Sequence, residues 1–143
     1  MTEQSGLLAG KKGLIMGVAN DRSIAWGIAD VAAKAGADLA FTYQGDNLKK
    51  RIEPLAKRAG SNLVLPCDVT DNASIDQVFN TLEQEWGKLD FLVHAIAFSD
   101  KNELNGGYVD TSSDNFARTL DISCYSFTAL ANRAEKLMTD GGS

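Results

Sequence analysis

The chain has 143 residues, 44% of them hydrophobic, and a formal net charge of −5. That length suits one domain or part of one, with enough apolar residues for a real core. The acidic balance, with no long basic run against it, argues against non-specific binding to nucleic acid or anionic membrane. One histidine and two separated cysteines, Cys67 and Cys124, match no metal spacing and read as a structural histidine and two small buried thiols of a reducing compartment.

Residues 1–10 hold no basic stretch leading into an apolar run, and no segment approaches the ~20 apolar residues of a membrane span. A cytoplasmic protein is the expectation. Strand and helix signals then alternate. Residues 12–18 form the first predicted strand. Ile24, Ile28, Ala32 and Ala35 repeat at helical spacing, with Gly36 as the stop. Between them lie Gly17 and a polar loop, the order of parts that holds a pyrophosphate on a helix N-terminus. A side chain at Gly17 would obstruct a dinucleotide. Ser23 stands at or near the N-cap, its hydroxyl available to a backbone N–H or a phosphate oxygen. Gly27 would let the helix lie close to its strand. The glycine spacing is not G-x-G-x-x-G, and a glycine that merely turns the chain fits this short signal equally well.

Residues 38–43 are the second predicted strand, followed by a helix marked by Leu48, Ile52, Leu55, Ala56 and Ala59 and closed by Gly60. Residues 62–67 are the third strand, with Pro66 near its end, where a lost ladder donor matters least. Residues 70–72 offer N-caps for a helix carrying Ile75, Val78, Phe79, Leu82 and Trp86 on one face. The fourth strand lies within residues 89–97. A polar loop spans residues 100–110, of a length often used for lids or binding loops. Thr111 and Asp114 have capping-box spacing. They open a helix of about seven turns, with Phe116, Leu120, Cys124, Phe127, Ala131, Ala134 and Met138 as its stripe. Tyr125 lies off that stripe, which suits either a single core helix or a second face buried against another subunit.

Repeated βαβ units give a Rossmann-like, doubly wound parallel sheet with helices on both faces. Its ligand crevice lies outside the carboxyl ends of the strands. Gln44, at the end of strand two, stands where many NAD-binding sheets place a carboxylate for the ribose hydroxyls. It can bond a ribose without repelling a 2′-phosphate, so NADPH use stays open beside NADH. Asp68 and Val69 close strand three, where an adenine would rest; an Asp there also caps helices. The small residues Ala95 and Ala97 after strand four permit close backbone approach. His94, in an apolar run, reads as a hydrogen-bonded core residue rather than a catalytic base. Tyr43 and Lys50 have Tyr-x6-Lys spacing, a chance match on the adenosine side.

The string G-V-A-x-x-x-S-I-A-x-G-I-A from Gly17 to Ala29 resembles the cofactor loop of the enoyl-acyl-carrier-protein reductases, a branch of the short-chain dehydrogenases. Cys67-Asp68-Val69, Val93-His94-Ala95-Ile96-Ala97-Phe98, Gly107-Tyr108-Val109 and Asp121-Ile122-Ser123-Cys124-Tyr125-Ser126-Phe127 are similar to that family's segments, in its order and spacing. The resemblance implies NADH-dependent reduction of trans-2-enoyl thioesters on acyl carrier protein in type II fatty-acid synthesis, and a homotetramer. It implies cofactor contacts at Gly17, Ser23, Ile24, Gln44, Asp68, Val69 and Ile96, and a substrate-facing Ser99. Ala97 departs from members that have Gly there.

The family's Tyr-x6-Lys pair is expected after the next strand, and no such pair with that placement occurs in residues 1–143. The chain therefore reads as one dinucleotide-binding domain, 1–143, holding the first four strands and no catalytic residue. Alone it is expected to be inactive, with an open sheet flank prone to aggregation. Two alternatives stand beside this reading: another short-chain ketoreductase or dehydrogenase, and a non-catalytic dinucleotide-binding module.

Overall fold

A computed structural model describes residues 6–143; residues 1–5, half of the N-terminal stretch expected to hold no basic-to-apolar run, lie outside the described residues. Four strands, β1 (Lys12–Met16), β2 (Asp38–Tyr43), β3 (Leu63–Pro66) and β4 (Phe91–His94), form one parallel sheet in the order β3-β2-β1-β4. The connecting helices are α1 (Ile24–Lys34), α2 (Asp46–Arg58) and α3 (Asn72–Trp86), followed by α4 (Ser113–Leu120) and α5 (Ser126–Ala134). No described helix is long and apolar enough to cross a membrane.

The alternation of side chains along β1 places the two layers. Leu14 and Met16 pack with Ile75, Leu82 and Leu130 of α3 and α5. Ile15 packs on the opposite face with Ala29, Ile52 and Phe41 under α1 and α2. Leu14, Ile15 and Met16 are fully buried, and each contributes about 1.5–3 kcal/mol. The doubly wound reading therefore holds, with helices on both faces. The outer edge of β4 is met by Ser143, whose N–H donates to Asp90 O (3.1 Å) and whose carbonyl accepts from Leu92 N (2.9 Å).

Several local expectations are corrected. β1 stops at Met16 because Gly17 turns the chain at φ +101°. Gly27 is exposed and a Cβ there would meet open space, so it does not set the approach of α1. Ala25 and Ala29 do, buried beside Trp26, whereas Ile24 is 80% exposed and Ile28 and Val31 also face outward. The cap of α4 is Ser112, not Thr111: its Oγ accepts from Asn115 N (3.2 Å). Glu103 supplies the reciprocal contact in place of Asp114, accepting from Ser112 N (2.9 Å) and Ser112 Oγ (2.7 Å).

The seven-turn helix is continuous but not uniform. A π-helical turn, Asp121–Tyr125, separates α4 from α5, and a 3-10 turn, Glu135–Leu137, closes it. Its buried stripe is Asn115, Ile122, Ser126, Ala129, Leu130, Ala134 and Leu137. Phe116, Leu120, Cys124 and Phe127, expected inside, face outward with Tyr125. Cys124 is thus exposed, and only Cys67 fits the expectation of a buried thiol.

Candidate functional site

The carboxyl ends of the four strands open onto one crevice of about 430 Å³. Its position follows from topology: β1 has β2 on one side and β4 on the other, so the loops after them diverge and leave a cleft. Gly17, Gln44, Asp68, Val69 and Ile96 all line it, together with Ala19, Phe98, Arg118 and Ile122. Ser23 and Ile24 do not. Ser23 sits beneath the loop, its Oγ donating to Asn20 O (2.6 Å) and lying 3.4 Å from Ala19 N. Asn20, which the sequence reading passed over, shapes the loop by accepting from Arg22 N through Oδ1 (2.8 Å). That bond is the Asx turn its residue type favours.

Ser99 also lies apart. Its hydroxyl bonds Asn115 Nδ2 (3.2 Å) and Thr119 Oγ1 (3.0 Å), and it lines a neighbouring hollow of about 370 Å³ with Tyr108 and Phe116. The polar loop of residues 100–110 forms the rim of that hollow through two 3-10 turns, Lys101–Glu103 and Tyr108–Asp110.

Gly17 meets the β4 exit directly: a Cβ on it would collide with the Ala95 carbonyl. Its missing side chain is required by this backbone contact within the chain, before any ligand is considered. At the other end, Asp68 accepts from Thr70 N (2.9 Å) and Thr70 Oγ1 (2.7 Å). These two bonds hold its carboxyl below the ordinary carboxylate range, and the Gln44 amide and the Arg118 charge add to the shift. Cys67, immediately before it, is pushed up to about 11, first by burial and then by the Asp68 charge.

The wall after β4 is held differently. Ala95 N donates to Met16 O (3.1 Å), and Phe98 is bonded at both backbone groups by Ser123 Oγ, at 3.0 and 3.2 Å. Between them, the backbones of Ile96 and Ala97 make no hydrogen bond among the described residues. His94 Nε2 lies 2.7 Å from Ser126 Oγ, which donates to Ile122 O (2.6 Å). With that hydroxyl proton used, the imidazole donates through Nε2–H. Burial lowers the His94 pKa and favours this neutral ring. A crevice with a glycine cradle at one wall, unbonded backbone at the next and an amide-carboxylate pair at the far end fits an extended nucleotide.

The family model for Enoyl-(Acyl carrier protein) reductase matches residues 17–143. The chain belongs to the enoyl-acyl-carrier-protein reductase family. Among curated members, it is 66% identical over 143 residues to enoyl-acyl-carrier-protein reductase (NADH) 1 of Rhizobium meliloti (strain 1021), matching 100% of this chain and 53% of that protein. The crystal structure of the Anaplasma phagocytophilum enoyl-acyl-carrier-protein reductase in complex with NAD superposes with a TM-score of 0.93 at 57% identity, over 96% of this chain and 53% of that one. The Bacillus cereus enoyl-acyl-carrier-protein reductase, solved with NADP+ and indole naphthyridinone, matches with a TM-score of 0.92 at 47% identity, over 96% and 54%. The chain spans about half the length of these enoyl reductases.

Proposed function

We propose that this chain forms the dinucleotide-binding part of an NADH-dependent enoyl-acyl-carrier-protein reductase. The observation that carries the proposal is the single crevice joining Gly17, Gln44, Asp68, Val69 and Ile96 at the strand ends. Gln44 and Asp68 would hold the adenosine end, Asp68 accepting from the adenine amine and Gln44 meeting a ribose hydroxyl. The Gly17 turn would let the pyrophosphate lie against backbone, with Ser23 steadying the loop from below. Ile96 and Ala97 would present their unbonded backbone groups to the nicotinamide ribose. When bound, the cofactor supplies a hydride for the β-carbon of a trans-2-enoyl thioester. In this proposal Ser23 and Ile24 contribute through the loop and helix start rather than from the crevice wall. Ser99 would act from the adjoining hollow, on the substrate side.

Relatives named as enoyl reductases of acyl carrier protein support a carrier-bound enoyl substrate and a place in fatty-acid synthesis. The Tyr and Lys expected for stabilising the enolate and anchoring the ribose would lie in the half of those relatives that this chain does not span. In this proposal residues 1–143 belong to a single dinucleotide-binding domain. The exposed apolar side chains Phe116, Leu120, Tyr125 and Phe127 support association of subunits, with a homotetramer as the expected form and the cytoplasm as the expected location. The test is NADH titration and turnover of a trans-2-enoyl thioester by the intact protein. Saturable NADH binding with enoyl reduction is expected. Carbonyl reduction instead, or NADH binding without any turnover, would overturn the assignment.

A further inference from the structure

The wide turn between α4 and α5 has a geometry that the cofactor reading leaves unused. Ser126 N–H bonds Asp121 O, five residues back, so a π-helical turn replaces an α-turn. Such turns splay side chains three residues apart further around the axis than an α-helix does, and they recur at functional sites. Here the splayed pair is Ser123 and Ser126. Ser126, 1% exposed, bonds His94 at the end of β4. Ser123 takes both backbone groups of Phe98. The two serines thus grip the segment 94–98 at its two ends, and the unbonded backbones of Ile96 and Ala97 lie between the grips. Unpaired backbone groups along a crevice wall have a use only if they stay aimed, because every rotation about φ and ψ re-aims them.

We propose that the Asp121–Tyr125 turn is a clamp for the nicotinamide end of the bound dinucleotide. Ser123, through Phe98, and Ser126, through His94, are positioning residues that keep the Ile96 and Ala97 backbone aimed at the ribose and carboxamide. The inference rests on the dinucleotide reading of the crevice. It adds that the nicotinamide end is held by the π-turn, whereas the adenosine end, at Gln44 and Asp68, is independent of it.

The experiment compares NADH with ADP, which carries only the adenosine and phosphate part, in calorimetric titrations of the intact protein. In Ser123→Ala, NADH affinity should fall about tenfold, a loss of one ligand-end contact set, while ADP affinity stays unchanged. Ser123→Thr, which keeps the hydroxyl, should restore NADH binding. Ser126→Ala should show the same one-sided loss. Ser123 is only half-buried, so its variant decides the matter even if Ser126→Ala unfolds. Equal losses for NADH and ADP, or no loss for either, would overturn the clamp. Failure of the unmodified protein to bind either ligand would instead overturn the reading of the crevice, and the clamp with it.

Discussion

Gly17 and Ala95 are packed backbone to backbone: the Cα of one faces the carbonyl of the other with no room for a Cβ. The first consequence concerns Gly17→Ala. The residue sits at φ +101°, and the new methyl would strike Ala95 O. A positive φ alone costs a non-glycine residue about 1–3 kcal/mol. Urea unfolding should therefore show a loss of at least that size, and NADH affinity should fall because the β4 exit is displaced. Unchanged stability would mean that the close approach is not maintained in solution.

Gln44 stands exposed at the end of β2, beside Asp68. In Gln44→Asp a second negative charge would face the 2′ position. NADPH binding should weaken relative to NADH by about tenfold, the size of a repulsion of roughly 1.4 kcal/mol at a partly solvated site. An unaltered ratio in paired titrations would place position 44 away from the ribose.

Asp68 gives a pH prediction. The Thr70 bonds depress its folded pKa, so its stabilising contribution is complete above the unfolded value near 3.9. The contribution is lost as pH falls through the lower, folded value. Thr70→Val removes the hydroxyl donor, and the Asp68 carboxyl should then titrate closer to its ordinary range. Carboxyl chemical shifts followed by NMR between pH 2 and about 6 would measure this. An identical midpoint in both proteins would take the shift away from the Thr70 hydroxyl and leave it to the residue 70 N–H, which Thr70→Val retains.

The two thiols should separate cleanly. With Cys67 pushed up to about 11 by burial, about one thousandth of it is thiolate at pH 8. A water-soluble disulfide reagent should leave Cys67 unmodified until the protein unfolds. Rapid modification of Cys67 in the native state would contradict its burial.

The order of elements was legible because each strand is a short apolar run and each helix repeats at 3.6 residues. Gly17, Gln44, Asp68 and Val69 were legible because topology sends strand ends to one side, whereas Ile96 was singled out within residues 95–99 by the family resemblance. What misled was choice of face. α1 carries Ile24 and Ile28 outward and buries Ala25, Trp26, Ala29 and Ala32, the alanines where the helix lies close on the sheet; apolar spacing does not report that. The π-turn was hidden for a related reason. Asp121 to Ser126 contains no glycine or proline, and the wide turn is stabilised by His94, more than thirty residues away. Ser99 was placed by its neighbours in sequence, but Asn115 and Thr119 claim its hydroxyl from another element.

Lys12 touches both neighbours of β1, through Asp38 at 26 residues' separation and Asp90 at 78. Closing the second loop costs about 1 kcal/mol more chain entropy than closing the first. The strands flanking the crevice are thus the costly pair to bring together, and β1 can join β2 long before β4 arrives. A crevice wall assembled from such distant segments should appear late in folding and open early in unfolding. Any nucleotide that bridges Gly17 and Ile96 would then act as a kinetic brake, slowing the chain's escape from its native state.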